Sequence, residues 1–360
     1  MGILDATPGR LPTLMSAYLD TRVSLYASRL WQDEALDALV DAPDAVVADT
    51  LVQRGLPQLA AGFVDPADRQ DARSLEQRII ARILDETRVL IRPLAGDARS
   101  FLIFWTARFE LSNVKTLLRR KMTGERPAAV LARLTPMGTF GRLDNQDLAH
   151  AEDVSELLRR LEAGPYAGIV RHARRAFEQS HDPFSLDAAL DHGYYEGLTL
   201  RAQPLEDSVG APFRSLMANL IDRINLIWLL RYRFNYRLPP AQVYYLLIGS
   251  HYSLPGARLQ ELAALDSLDA VLAALPPVWR MPLSGATDIP DVFARMEHLA
   301  ASQAQQVLRS RAPGIARAFA YLILRERDLR AVRAVLRGRH LGLAAGDIRQ
   351  ALQRLPAEAA

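Results

Sequence analysis

The chain has 360 residues, 49% of them hydrophobic and 24% charged, a composition that excludes a disordered or fibrous protein. It contains no cysteine, which removes disulfides, thiolate metal sites and a cysteine nucleophile and leaves the redox compartment open. A net charge of +3, from 44 bases and 41 acids, is too close to balance for a dominant phosphate-binding surface.

In chain order, the N-terminal stretch lacks a basic segment followed by an apolar core, so no secretory signal is expected. Residues 44–51 read as a short helix, with Pro57 soon after. The stretch 74–90 is amphipathic, with Leu75, Ile79, Ile83 and Leu90 on a common side. Asp97 is the expected N-cap of a long helix running through Lys121 and stopping near Gly124. Residues 154–161 form a second short helix, followed by Pro165. The span 204–212 reads as a turn between two prolines, and 212–234 as a second long helix ending ahead of Pro239 and Pro240. Residues 268–275 are a third short helix. The Pro- and Gly-rich stretch 276–290 reads as an exposed turn. Asp288 and Pro290 open a last region whose final helix reaches Gly338, and 347–355 form a short helical tail. Trp31, Trp105, Trp228 and Trp279 sit in helical patterns and read as packing residues. Strand-like alternation never persists outside helical context, and no apolar run reaches the roughly 20 residues of a membrane span. The expected fold class is all-α.

The long helices carry a repeated motif. Glu110-Leu-Ser-Asn113-Val-Lys-Thr-Leu117-Leu118-Arg119-Arg-Lys121 returns as Asp222-Arg-Ile-Asn225-Leu-Ile-Trp-Leu229-Leu230-Arg231-Tyr-Arg233. It returns again, less completely, as Asp328-Leu-Arg-Ala331-Val-Arg-Ala-Val335-Leu336-Arg337-Gly-Arg339. From 110 to 222 to 328 the steps are 112 and 106 residues. The three short helices keep the same phase. A period of this size marks a repeated small domain, since solenoid units run about 20–50 residues. The chain therefore divides into three helical units, 1–126, 127–239 and 240–360, the last carrying the tail.

Within the motif, positions zero, three, seven and eleven share one helix stripe. From Ile224 to Leu230 the second copy is apolar nearly all round except at Asn225, which points to a buried helix. An acid and an amide on such a helix need partners, because each unpaired buried polar group costs about 1–3 kcal/mol. Glu110, Asn113, Asp222, Asn225 and Asp328 are accordingly expected to form an internal polar lock; an acidic metal or proton site is the alternative. The arginine at position nine leaves the stripe, making Arg119, Arg231 and Arg337 candidate partner contacts.

Other chemistries find less support. His172, His181 with Asp182, and His192 cluster in sequence as in metal phosphohydrolases, but Asp182 before Pro183 is an ordinary helix cap and no second acidic helix completes a ligand set. His150, His251, His298 and His340 are scattered. No phosphate-loop sequence occurs, and Ser250 and Ser253 around His251 lack a nucleophile-elbow setting. The basic runs at 119–121, 171–175 and 325–339 read as solvated faces rather than a nucleic-acid surface.

The order and spacing of several segments resemble the C-type subunit of V/A-type rotary ATPases, the counterpart of the eukaryotic d-type subunit. The segments are Tyr18-Leu-Asp-Thr-Arg22-Val23, Ser28-Arg29-Leu30, Glu110-Leu-Ser-Asn113 and Ser185-Leu-Asp-Ala-Ala-Leu190-Asp191 ahead of Tyr194-Tyr195. Asp222-Arg-Ile-Asn225 and Arg325-Glu326-Arg-Asp328 complete the set. Asp20-Thr21 and Ala331 depart from the family pattern, which has Asn-Ala and Asn there. The resemblance implies three units in a pseudo-threefold, funnel-shaped arrangement on the cytoplasmic side of the membrane, peripheral to it. It implies a non-catalytic socket coupling the D and F subunits of the central shaft to the proteolipid rotor ring for ATP-linked proton or sodium transport. It implies no cofactor, no metal, no small-molecule substrate and no nucleic-acid partner. A helical scaffold outside a rotary ATPase is the alternative reading.

Overall fold

The computed structural model describes residues 10–64 and 72–353, and every regular element among them is helical. The chain falls into two compact units. The first comprises residues up to 102, 204–216 and from 297 onward; the second comprises 103–203 and 217–296.

The N-terminal run consists of α1 (Arg10–Ala27), α2 (Asp33–Asp41), α3 (Asp44–Gln53), α4 (Pro57–Val64) and α5 (Ala72–Leu90). On α5, Ile79, Ile83 and Leu90 are buried as the amphipathic pattern requires. Trp31 is buried but lies in the loop between α1 and α2, not in a helix as its sequence context suggested. The first long helix, α6 (Gly96–Met122), begins one residue before Asp97, which sits in its first turn. Short helices follow: α7 (Pro127–Leu131), α8 (Asn145–Ala149), α9 (Val154–Glu162) and α10 (Ala167–Ser180).

The next helix, α11 (Pro183–Val209), continues through Pro204, where a turn was expected. The break comes instead at Gly210, whose φ of +79° a side chain would strain. Pro212 then lies in the first turn of α12 (Ala211–Leu230), where its missing N–H leaves no helix bond unmade. A π-helical turn, Arg231–Asn235, extends α12 toward Pro239.

After α13 (Pro240–Leu246), α14 (Gly256–Ala263) and α15 (Leu268–Ala274), the stretch expected as an exposed turn contains a helix, α16 (Pro277–Leu283). Pro277 opens it and Trp279 and Leu283 are buried. Proline starts a helix as readily as it ends one, and here the buried side chains decide. The last elements are α17 (Ile289–Arg309), the 27-residue α18 (Gly314–His340) and α19 (Ala345–Gln353). Leu355, the expected end of the tail, lies outside the described residues.

In the first unit α18 packs against α1, α2, α5 and α19. Its core holds Phe101, Phe213 and Phe319, each fully buried, with ring centroids 5.0–5.8 Å apart. Gly338 admits α19: a Cβ there would stand 2.7 Å from Ile348 Cγ1. In the second unit an aromatic chain runs Phe104, Tyr194, Tyr195, Trp228 and Tyr232, with successive centroids 4.9–6.2 Å apart. Gly197 makes room for it, since a Cβ would meet Phe104 Cζ at 2.8 Å.

Candidate functional site

The three copies of the long-helix motif make the same kind of contact. On α6, Glu110 is fully buried and its Oε1 accepts from the N–H groups of Arg142 (2.7 Å) and Leu143 (2.9 Å). The Tyr166 hydroxyl donates to its Oε2 at 2.6 Å; burial, then the bond to Glu110, holds the phenol well above its ordinary pKa. One turn on, the Asn113 amide pairs with the backbone of Thr135 in both directions, each at 2.8 Å.

On α12, Asp222 accepts from the N–H of Ser253 (3.0 Å) and Leu254 (3.2 Å), from the Trp279 indole (3.4 Å) and from the Ser250 hydroxyl (3.4 Å). Burial raises its pKa, and the donated bonds from Leu254, Trp279 and Ser253 oppose the rise. Asn225 repeats the two-way backbone pairing with Ile248, at 3.0 and 2.8 Å. In both copies the acid and the amide hold the irregular loop beyond the next short helix, α7 in the first copy and α13 in the second. Backbone groups in such a loop have no ladder of their own, so these side chains supply their partners.

The third copy reaches the other end of the chain. Asp328 Oδ2 accepts from the N–H of Trp31 at 2.9 Å, a separation of 297 residues. Ala331, at position three, is buried. The segment ahead of Trp31 is already helical through Ala27 and pairs its own amides, so an asparagine at this position has no loop to hold.

Position eleven is equally regular. Lys121 donates to the carbonyl of Ala151, just past the end of α8. Arg233 donates to Ala263 (2.6 Å) and Leu265 (3.1 Å) at the end of α14. Arg339 donates to Leu39 (2.9 Å) and Val40 (2.7 Å) in the last turn of α2. Each base thus satisfies the terminal carbonyls of the helix that precedes a repeated short helix, α9, α15 or α3, and opposes that helix's dipole. The sequence shows the recurring base but not its role, because the carbonyls it serves are not a side-chain motif.

The arginines at position nine do not behave alike. Arg119 is exposed and its Nε donates to Asp187 at 3.0 Å. Arg231 is half-buried and Arg337 exposed. The three are not brought together by any contact among the described residues.

A different buried network was missed by the sequence reading. Glu86 on α5 accepts from Arg325 Nε and Nη2, both at 3.1 Å, and from the Tyr321 hydroxyl at 2.6 Å. All three residues are 1% exposed. The Arg82 Nε adds a bond to Glu86 from the next turn at 2.6 Å. Burial, then the Glu86 charge, pushes the Tyr321 phenol far up. Arg325 and Asp328 share one face of α18, three residues apart, which was the available signal.

The histidine region has local duties. His181 ends α10 in the left-handed conformation, φ +52°, with its ring against Phe177. Asp182 accepts from the N–H of Phe184 and Ser185 at the start of α11. His192 meets the Leu247 carbonyl at 3.1 Å. Among the described residues no three His, Asp or Glu stand close enough together to hold a metal ion.

Asp328 carries the clearest pH signature. Burial raises it to about 7, against the Trp31 N–H and the charges of Arg325, Arg327 and Arg54. Its unfolded value is about 3.9. The folded chain therefore binds the proton more tightly, so its contribution to stability is full below about pH 4 and is lost as pH rises through about 7. The slope in that window is at most about 1.4 kcal/mol per pH unit. Asp328→Asn is expected to flatten the fall in stability between about pH 4 and 7, read from urea denaturation midpoints along the pH series. A variant declining in parallel with the parent would assign the slope to another group.

Comparison with known proteins gives a consistent match. The family model described as ATP synthase (C/AC39) subunit aligns with residues 19–351. The chain is similar to the A-type ATP synthase C-type subunit of Methanocaldococcus jannaschii, 23% identical over 267 residues, covering 72% of this chain and 64% of that protein. It is similar to the protein of the same name from Methanosphaera stadtmanae, 25% identical over 215 residues, covering 59% and 55%. The corresponding V-type ATP synthase protein of Deinococcus radiodurans is 25% identical over 191 residues, covering 51% and 52%. The chain thus spans between about half and two thirds of the length of these relatives.

Proposed function

Because the chain belongs to the ATP synthase (C/AC39) subunit family, we propose that it is the non-catalytic socket of the central stalk in a V/A-type rotary ATPase. In this reading it receives the foot of the shaft, made of the D and F subunits, and rests on the rotor ring of proteolipid subunits. It couples shaft rotation to the ring, so that ATP turnover and proton or sodium transport stay linked. The chain would lie on the cytoplasmic side of the membrane and attach through the ring; no helix among the described residues is long and apolar enough to cross a bilayer.

The observation that carries the proposal is the threefold lock. Three long helices each present a buried acid to a loop backbone and a base to a helix end. We read these as three copies of one helical module set about a common axis, which would form a funnel. Such a body transmits torque through shape and many shallow contacts, without a reacting group. The recurring chemistry of the motif is used up internally: acid, amide and base all bond to backbone. What remains for partners is the outer surface, and Arg119, Arg231 and Arg337 are the contacts we propose for mapping.

The test is capture. Purified chain is expected to retain the two shaft subunits, and then detergent-solubilised rotor ring, at moderate salt. Charge reversal at the exposed Arg337 is expected to weaken that retention without moving the melting temperature. A folded, helical chain that retains neither partner would replace this reading with a helical scaffold outside a rotary ATPase.

A further inference from the structure

The outer side of α1 carries no charge. Among its described side chains Leu14, Met15, Ser16, Ala17, Thr21, Ser24 and Leu25 are exposed. The two charged residues of that stretch are turned aside: Asp20 pairs with Arg317 at 2.7 Å, and Arg22 lies over the Tyr18 ring. The hydroxyls have partners within the unit. Thr21 Oγ1 donates to the Ala17 carbonyl at 2.8 Å, and Ser24 Oγ accepts from Arg317 Nη2 at 3.1 Å. A helix on the surface of a soluble protein ordinarily shows charge on its free side, as α5 does with Arg73, Asp85 and Arg88.

The same helix outruns its support. It lies parallel to α18, with Asp20 on Arg317, Tyr26 on Tyr321 and Trp31 on Asp328. Leu19 meets the start of α18, where a Cβ on Gly314 would stand 2.9 Å from Leu19 Cδ2. Leu14 therefore lies about 7 Å past that start, at about 1.5 Å per residue. There Met15 and Ser16 are exposed, although helical phase turns them toward the side that Leu19 and Val23 bury further along. The element ahead of the loop held by the motif acid has five residues in the first copy, α7, and seven in the second, α13. In the third copy it is α1, with 18. The repeat alone does not call for that length.

We propose that the outer side of α1 is the face that docks on the rotor ring, against the uncharged ends of its membrane-spanning helices. This rests on the reading of the chain as the socket of a rotary ATPase, and assigns one face to one partner. A shaft standing in water carries charge over its own surface, and the outer side of α1 offers such charge nothing to pair with. Helices that cross a bilayer are apolar over about 20 residues, so an uncharged face meets them without burying an unpaired charge. Leu14, Met15 and Leu25, at 66%, 48% and 43% exposure, supply the apolar area removed from water on docking.

The chain has no cysteine, so Ala17→Cys places a single thiol on this face. Bound to detergent-solubilised ring, that thiol is expected to react with a maleimide at least about tenfold more slowly than in the free chain, while the two shaft subunits change its rate less than about twofold. Tyr245→Cys, on an exposed residue of α13, is expected to react alike with and without ring. In the cysteine-free chain, Leu14→Glu with Leu25→Glu is expected to lower ring retention at least about tenfold, with shaft retention and melting temperature unchanged. Captured ring that leaves the Ala17→Cys thiol at its free rate, or slows both thiols equally, overturns the docking face and leaves the socket reading in place. Protection by the shaft alone, or by protein-free lipid vesicles as fully as by ring, overturns it in favour of that occupant. A folded chain that captures shaft but no ring removes the face together with the ring half of the socket reading.

Discussion

Glu86→Ala is expected to be the most damaging single change in the described structure, lowering stability by about 3–5 kcal/mol. The carboxylate is the partner of Arg325, and both side chains are nearly inaccessible to water. Truncation leaves a guanidinium in the core without its bonded counter-charge, with Asp328 acting on it only through space, which is the costly way to break a buried pair. Arg325 already has one nitrogen, Nη1, without a partner among the described residues, so it has no spare contact to fall back on. The Tyr321 hydroxyl loses its acceptor in the same step. Glu86→Gln, which keeps an acceptor for Tyr321 but not the charge, should lie between parent and Ala. Replacing Glu86 and Arg325 together by leucine should recover much of the loss, because an apolar pair of similar volume needs no solvation. Urea denaturation of the four proteins checks this; a Glu86→Ala midpoint equal to that of the parent would mean that water or a neighbouring acid takes over the pairing.

Asp222→Ala is expected to lower stability by about 2–4 kcal/mol through a different route. Its partners are neutral: it accepts from two backbone amides, an indole and a hydroxyl, and Ala leaves the two amides and the indole without acceptors. Each such group costs about 1–3 kcal/mol when buried and unpaired, less where the loop relaxes toward water. Asp222→Asn retains one acceptor oxygen and should lose roughly half as much. A useful local readout is the Trp279 indole, whose fluorescence or nitrogen-bound proton shift should change in Asp222→Ala and stay closer to parent in Asp222→Asn. An unmoved indole with a large stability loss would place the damage at the 253–254 loop alone.

These two sites mark how far the sequence is readable. The acid and amide of the lock are legible because they recur in phase on helices that are otherwise apolar, and a buried polar group must have a partner. The identity of that partner is not legible: Arg142, Ser253 and Trp31 enter through backbone N–H, which no residue type reports. Glu86 belongs to no repeat, and its partner stands 239 residues away, so neither period nor spacing points to it. Trp279 shows a third kind of limit. The prolines around it signal a turn, while its indole is needed against Asp222, and tertiary packing settles the matter as helix α16. The same applies to Pro204, where α11 continues despite a residue that usually stops a helix. Helix content, the long helices and the short repeated ones follow from pattern; the ends of those helices and the loops between them follow from contacts made at long range.

The bond from Trp31 to Asp328 has a consequence for how the protein comes into being. Residues 31–53 leave the ribosome nearly 300 residues before the helix they are held by, a separation of 297 residues at the lock itself. At about 5–20 residues per second, that interval is on the order of 15–60 seconds. Throughout it, α2, with Leu36, Leu39 and Val40 buried in the finished fold, lacks α18 and α19, the helices it packs against. The hairpins at 145–162 and 256–274 follow helices that have already emerged and have no such wait. The nascent chain therefore carries the apolar side of α2 uncovered through most of its synthesis, beside a run of six carboxylates without a base, a charge that favours its staying dissolved until its seat is made.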